Sequence, residues 1–226
     1  MGRTDAAFTG RLHPMKTPIF SRRGLLVGTS LALLPLSPLH AAGLVPTPAQ
    51  TEGPFYPTAF PPDTDNDLVQ VRGAQARAMG TVLHLEGRVL GPDGRALSGA
   101  TVEIWQCDAQ GIYDHPGQRG RERRDQAFQG YGRLTADAAG VYRFRTLRPV
   151  AYPGRTPHIH LKVATGDGRR LTSQLYIAGD PQNERDGVFR RAASQPGQRE
   201  RIEMKLAPAN GVEAGAFAAK MDIVVA

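Results

Sequence analysis

The chain has 226 residues, with 28 Lys and Arg against 21 Asp and Glu, a formal charge of +7. Its 40% apolar and 22% charged content is that of a soluble globular protein. A single cysteine excludes an intramolecular disulfide framework, and 26 Gly with 18 Pro point to many turns and little long helix.

The first element in chain order is an export signal over 1–42. Lys16, Arg22 and Arg23 precede an apolar run that ends in the small residues Ala41 and Ala42. Basic, apolar and small segments in that order make a secretory leader. The run is too short to span a bilayer and is broken by Pro35 and Pro38. Ser21-Arg22-Arg23 followed by Leu25-Leu26 resembles a twin-arginine signal, with Leu25 where Phe is commonest. The alternatives are an ordinary secretory signal and, if cleavage fails, an N-terminal anchor. Met15 is a second candidate start. The expected location is therefore periplasmic or extracellular, with no stable membrane span once the leader is cleaved.

The leader also explains the charge. Five of the 28 basic residues but one of the 21 acidic ones lie in 1–42, so the remainder is near +3. A nucleic-acid partner loses its support. The remaining basic cluster, Arg119, Arg121, Arg123 and Arg124, reads as a solvated loop.

Residues 43–80 are Pro-rich and polar and read as an extended arm. The segment 81–226 reads as one β-sandwich domain. Alternation of apolar and polar residues predicts strands at 82–90, 101–106, 141–145, 158–163 and 201–206, with further strands at 171–177 and 219–225. Turn signals at Gly91–Gly94, Asp137–Gly140 and Gly166–Gly168 separate them. No helical period persists over three turns. The expected fold is all-β, an antiparallel sandwich of immunoglobulin or transthyretin type.

His158-Ile159-His160 places two imidazoles on one face of a strand, their Cα atoms roughly 6.6–6.8 Å apart. Such a pair is either a solvated strand face or half of a metal site. Cys107 flanks a strand and reads as packing. Tyr113 and Tyr152 lie in loops after strands, where functional groups concentrate. A phenol ionises near pH 10, so binding a metal at neutral pH needs a strongly acidic cation, with Fe(III) the natural candidate. Two phenolates and two neutral imidazoles would leave Fe(III) with one net positive charge, suited to a dianionic chelating ligand.

Tyr152-Pro-Gly-Arg-Thr-Pro-His-Ile-His160 resembles the iron motif of intradiol ring-cleavage dioxygenases, the catechol and protocatechuate 3,4-dioxygenase family. Thr51-Glu-Gly-Pro-Phe-Tyr-Pro57 resembles the segment that begins that family's catalytic region. Gly87–Ala100, running into Val102–Tyr113, resembles its opening hairpin and first tyrosine ligand. Gln174–Asp180 resembles the strand after the histidines. The likeness covers about residues 51–190.

The resemblance implies a non-haem Fe(III) held by Tyr113, Tyr152, His158 and His160. It implies that Tyr152 leaves the metal and takes a substrate proton. Arg155 would lie over the substrate ring and stabilise developing negative charge, and Gln174 would be a polar residue of the same pocket. The implied reaction opens a catechol between its hydroxyl-bearing carbons with O2 to a cis,cis-muconate-type diacid. It also implies a homodimer paired through the arm and sheet edge. Tyr131, Tyr142 and Tyr176 read as core or rim. The rivals are a non-enzymatic immunoglobulin-like binding module, a Zn²⁺ or Cu²⁺ protein using the histidine pair, and a family member with altered activity.

Overall fold

A computed structural model describes residues 43–226. The expected export signal of 1–42 lies outside the described residues. Ten strands form two five-stranded sheets, consistent with the expected all-β sandwich.

The first sheet is organised around β1 (Val82–Leu90). It pairs antiparallel with β4 (Val141–Leu147) and parallel with β9 (Phe217–Lys220) and β10 (Ile223–Val224). The two-residue β8 (Ala207–Pro208) closes its edge against β9. The second sheet runs β3-β2-β5-β6-β7. Its strands are β2 (Thr101–Trp105), β3 (Tyr131–Thr135), β5 (His158–Ala164), β6 (Arg170–Ile177) and β7 (Glu203–Met204). The longer neighbouring strands pair antiparallel as expected; the late short strands β7, β9 and β10 join in parallel.

Leu83, Leu85 and Val89 of β1 meet Val102, Ile104, Ile159, Leu161 and Val163 of the second sheet in one buried core. Burial of each such aliphatic side chain contributes about 1.5–3 kcal/mol. The period-two rule then fixes the opposite face of the second sheet. That face carries His158 and His160 from β5, Trp105 from β2, and Gln174 and Tyr176 from β6. Register aligns them, with Trp105 and Gln174 both opposite His160 and Tyr176 opposite His158.

The segment 43–80 contains no helix or strand longer than an isolated bridge, yet it is not free. Leu68 and Val69 are fully buried in the main core. The Gln50 amide donates to the Thr172 carbonyl along the open edge of β6. Tyr56 donates to Glu103 at 2.8 Å, and the Lys162 ammonium sits 3.5 Å from the centre of the Tyr56 ring.

Several departures from the expected elements have visible causes. The strand expected at 201–206 shrinks to two residues, because Arg199–Arg201 wind into a 3-10 turn. The strand expected at 219–225 is split at Met221-Asp222. There the Met221 carbonyl accepts from the Tyr142 hydroxyl and the Asp222 carboxylate accepts from Arg88. A six-residue helix, α1 (Gly187–Ala192), was not anticipated. It starts on Asp186, whose carboxylate accepts from the Val188 and Phe189 amides.

Candidate metal centre

The four ring side chains singled out as ligands converge. His158 and His160 are 1% exposed each, their centroids 4.8 Å apart and roughly perpendicular. Tyr113 lies 6.0 Å from His160, Tyr152 lies 5.4 Å from His158, and the two tyrosines are 5.7 Å apart.

Each arrives by a local device. Tyr113 follows a loop tied by Asp108, whose carboxylate accepts from the Gln110, Ile112 and Asp125 amides. Tyr152 opens the turn Tyr152-Pro153-Gly154-Arg155, closed by the Arg155 amide donating to the Tyr152 carbonyl at 2.9 Å. Gly154 sits at φ 84°, which this turn requires at its third position, with Pro at the second. The histidines come on β5. Trp105 stacks flat on His160 at 4.7 Å, and Gly53 of the arm, at φ 73°, closes over His160; an added Cβ would lie 3.4 Å from its Cε1.

His158 Nδ1 is 2.7 Å from the Thr156 carbonyl oxygen, which can only accept. The proton is therefore assigned to Nδ1, and Nε2 presents a lone pair. That Nε2 faces the His160 Nε2 at 3.2 Å. Burial, then Arg155, lowers the His158 pKa to about 4. Burial, His158 and Arg155 hold His160 well below its usual range. Both rings are neutral at pH 7, the form a metal ligand needs.

The phenols complete the donor set. The Tyr113 hydroxyl is buried with only the Tyr152 phenol beside it and no well-formed hydrogen bond, a costly state. Burial pushes its pKa well above 10, with Cys107 and Tyr152 adding to the effect. Burial also raises Tyr152, opposed by Arg155. Among the described residues no three His, Cys, Asp or Glu side chains converge. A zinc site of the usual four nitrogen and sulfur donors, or a carboxylate-rich calcium or magnesium site, cannot be assembled. Two phenols with two neutral imidazoles fit a hard trivalent cation, and binding one would satisfy the orphaned Tyr113 oxygen.

Arg155 stands at the edge of this cluster. It donates from Nη1 to the Tyr152 hydroxyl at 3.5 Å, from Nη2 to the Gln174 side-chain oxygen at 2.5 Å, and from Nε to Asp186 at 2.8 Å. Burial, the largest influence, would lower its pKa, but the Asp186 hydrogen bond together with the neighbouring Tyr152, Asp186 and Tyr176 groups makes the net shift upward. Gln174, fully buried, donates through Nε2 to the Thr51 carbonyl, so its oxygen faces Arg155.

Several site residues escape sequence reading. Asp186 is 2% exposed and binds Arg155, the Thr156 amide and two amides of α1 together. Asn183 accepts from the Thr156 hydroxyl, bracing the turn before His158. The Tyr176 hydroxyl, within reach of Gln50 and Gln174, belongs to this network and is not mere core. Trp105 was legible in principle, because it shares the period-two face of the histidines. Cys107 is buried packing as expected, its pKa raised to about 12 chiefly by burial.

Residues 51–224 match the family model described as Dioxygenase, and the chain belongs to the intradiol ring-cleavage dioxygenase family. It is 34% identical over 170 residues to the protocatechuate 3,4-dioxygenase beta chain of Burkholderia cepacia, covering 71% of each chain. It is 32% identical to a hydroxyquinol 1,2-dioxygenase of Corynebacterium glutamicum, covering 63% of this chain and 50% of that one. The chain thus spans about half the length of the hydroxyquinol and catechol enzymes it matches. Among solved structures, the dioxygenase domain of a dioxygenase carbohydrate-binding fusion from Streptomyces sp. SirexAA-E is 30% identical, with TM-score 0.61. That match covers 80% of this chain and 97% of the other.

Proposed function

We propose that the protein is a non-haem Fe(III) dioxygenase that opens catechol-type rings between the two hydroxyl-bearing carbons, consuming O2 and yielding cis,cis-muconate-type diacids. The observation that carries this reading is the donor set. Tyr113, Tyr152, His158 and His160 are adjacent rings in a matched dioxygenase, and no other metal-binding cluster of His, Cys, Asp or Glu stands among the described residues.

Bound there, ferric iron supplies Lewis acidity and a template for a two-oxygen chelate. The remaining steps are the chain's own. Tyr152 is the less buried phenol and keeps a hydrogen bond to Arg155. It is the group that moves aside and accepts a proton from an incoming catechol hydroxyl at its own oxygen. Arg155 is fixed by Asp186 and Gln174 and points a charge that does not titrate at neutral pH toward that oxygen. It stabilises negative charge as it develops on the ring. His158 and His160 stay neutral under Trp105 and the arm, which keep bulk water off the imidazoles.

The leader at 1–42, with Arg22-Arg23 and its apolar run, supports export to the periplasm or beyond as part of this proposal. The decisive experiment is O2 uptake with catechol, protocatechuate and hydroxyquinol, with product identification, on protein of measured iron content. One equivalent of iron with a red tyrosinate band and a ring-opened diacid is expected. Iron-replete protein that cleaves none of the three defeats the assignment, and one equivalent of zinc without colour defeats the metal.

A further inference from the structure

We propose that the groove beside Arg155 seats an elongated ring substituent ending in a carboxylate, so that the preferred substrates are catechols bearing an acidic side chain rather than bare or ring-carboxylated catechols. This rests on the ring-opening reading above.

The groove has a volume of about 770 Å³ and is lined by Gln50, Thr51, Arg155, Val188, Arg191 and Gln198, among others. Ligand pockets run about 300–1,000 Å³. A single catechol ring fills a small part of such a space. The groove is shared with the reaction site through Arg155, which also reaches the Tyr152 oxygen at 3.5 Å. Arg155 also borders a smaller space of about 250 Å³, so the groove is the roomier direction open to a substituent on a ring placed under Arg155.

Charge sets the end of that direction. The ionisable residues lining the groove are Arg155, Asp186 and Arg191. Asp186 is already committed to Arg155 and to the Thr156, Val188 and Phe189 amides. Arg191, in the last turn of α1, has no carboxylate partner among the described residues. It is the one uncompensated charge on the lining, amid the polar side chains of Gln50, Ser194, Gln195 and Gln198. A carboxylate meets a planar guanidinium well, through two parallel hydrogen bonds.

Length separates the candidates. Asp186, which marks the Arg155 end, and Arg191 are five residues apart along α1, a rise of about 7 Å. A carboxylate attached directly to the ring stays beside Arg155, whereas one carried on a side chain of two or more carbons extends along α1 toward the Arg191 guanidinium.

The test compares 3,4-dihydroxycinnamate, its methyl ester and catechol on the iron-loaded full chain and on Arg191→Gln. We expect kcat/KM for the acid to exceed that for the ester about tenfold, and that ratio to collapse toward one in Arg191→Gln. Equal values for acid and ester in the parent enzyme, with catechol cleaved, overturn the inference while leaving ring cleavage standing. Binding of 3,4-dimethoxycinnamate, which cannot chelate, is titrated calorimetrically in parallel. Binding that weakens about tenfold in Arg191→Gln supports the groove even if no substrate is turned over. Absence of binding to the parent protein, or binding indifferent to Arg191, overturns it.

Discussion

The Arg155 guanidinium donates to the Gln174 side-chain oxygen at 2.5 Å because Gln174 spends its amide nitrogen on the Thr51 carbonyl. The arm therefore decides which way Gln174 faces, and Gln174 helps decide where Arg155 points. Gln174→Leu removes both bonds with little change in volume. The loss of one charge-assisted bond of about 1.5 kcal/mol corresponds to about a tenfold fall in kcat. Iron content and the visible band should stay at parent levels, since Gln174 is not a ligand. A parallel loss of iron would show that the residue holds the centre together instead.

Tyr113 gives the opposite balance. Its buried hydroxyl has only the Tyr152 phenol beside it and no well-formed hydrogen bond, so in the metal-free protein it costs more free energy than it returns. Tyr113→Phe should raise the stability of the metal-free protein by about 1 kcal/mol in urea unfolding. The same variant should bind iron far more weakly and lose most of its tyrosinate absorption. A metal-free variant less stable than its parent would mean that the hydroxyl has a partner within the protein.

How far these relationships were legible follows from their range in sequence. Three of the four proposed ligands lie within nine residues, from Tyr152 to His160, and the period-two reading placed both imidazoles on one face. The long strands β1, β4, β5 and β6 were readable because each alternates a core side and an outer side. The strand β3 escaped because its sequence, Tyr-Gly-Arg-Leu-Thr, has no clean alternation and is half exposed. The split of the final strand depends on Tyr142, 79 residues away from Met221. Helix α1 owes its start to one capping carboxylate and is too short for a period to show. The partners of Arg155 and Gln174 are likewise tertiary: Thr51 lies 123 residues from Gln174, and Asp186 lies 31 from Arg155. No local pattern announces such pairs.

Acid stability should be governed by a second cluster, distinct from the proposed metal centre. Glu213 accepts from both ends of the Arg145 guanidinium, at 2.9 and 2.8 Å, and also meets Arg77 and His84. The Arg145 hydrogen bond, chiefly, lowers the Glu213 pKa from 4.5 to about 2. A depressed carboxyl pKa contributes stability that is complete above the unfolded value near 4.5 and is lost as pH falls toward 2. Glu213→Gln should therefore lower stability at pH 7 and flatten its decline between about pH 4.5 and 2. Urea midpoints measured across that range read both effects. An unchanged acid limb would assign the decline to other carboxylates.

Asp186 joins fold and chemistry most closely. Its Oδ2 takes the Arg155 Nε and the Thr156 amide, while its Oδ1 caps α1 through Val188 and Phe189. Burial alone would raise its pKa, and the Arg155 hydrogen bond with the Thr156 and Phe189 amides pulls it below the usual value instead. Asp186→Ala leaves a buried guanidinium half-paired and a helix uncapped, a loss of about 3 kcal/mol. Asp186→Asn keeps an oxygen for the helix amides but removes the charge that holds Arg155. The asparagine variant should recover most of the stability lost in the alanine variant, yet remain at least tenfold below the parent in kcat. If asparagine restores turnover as fully as stability, Asp186 serves only to cap α1, and the orientation of Arg155 is set by Gln174 alone.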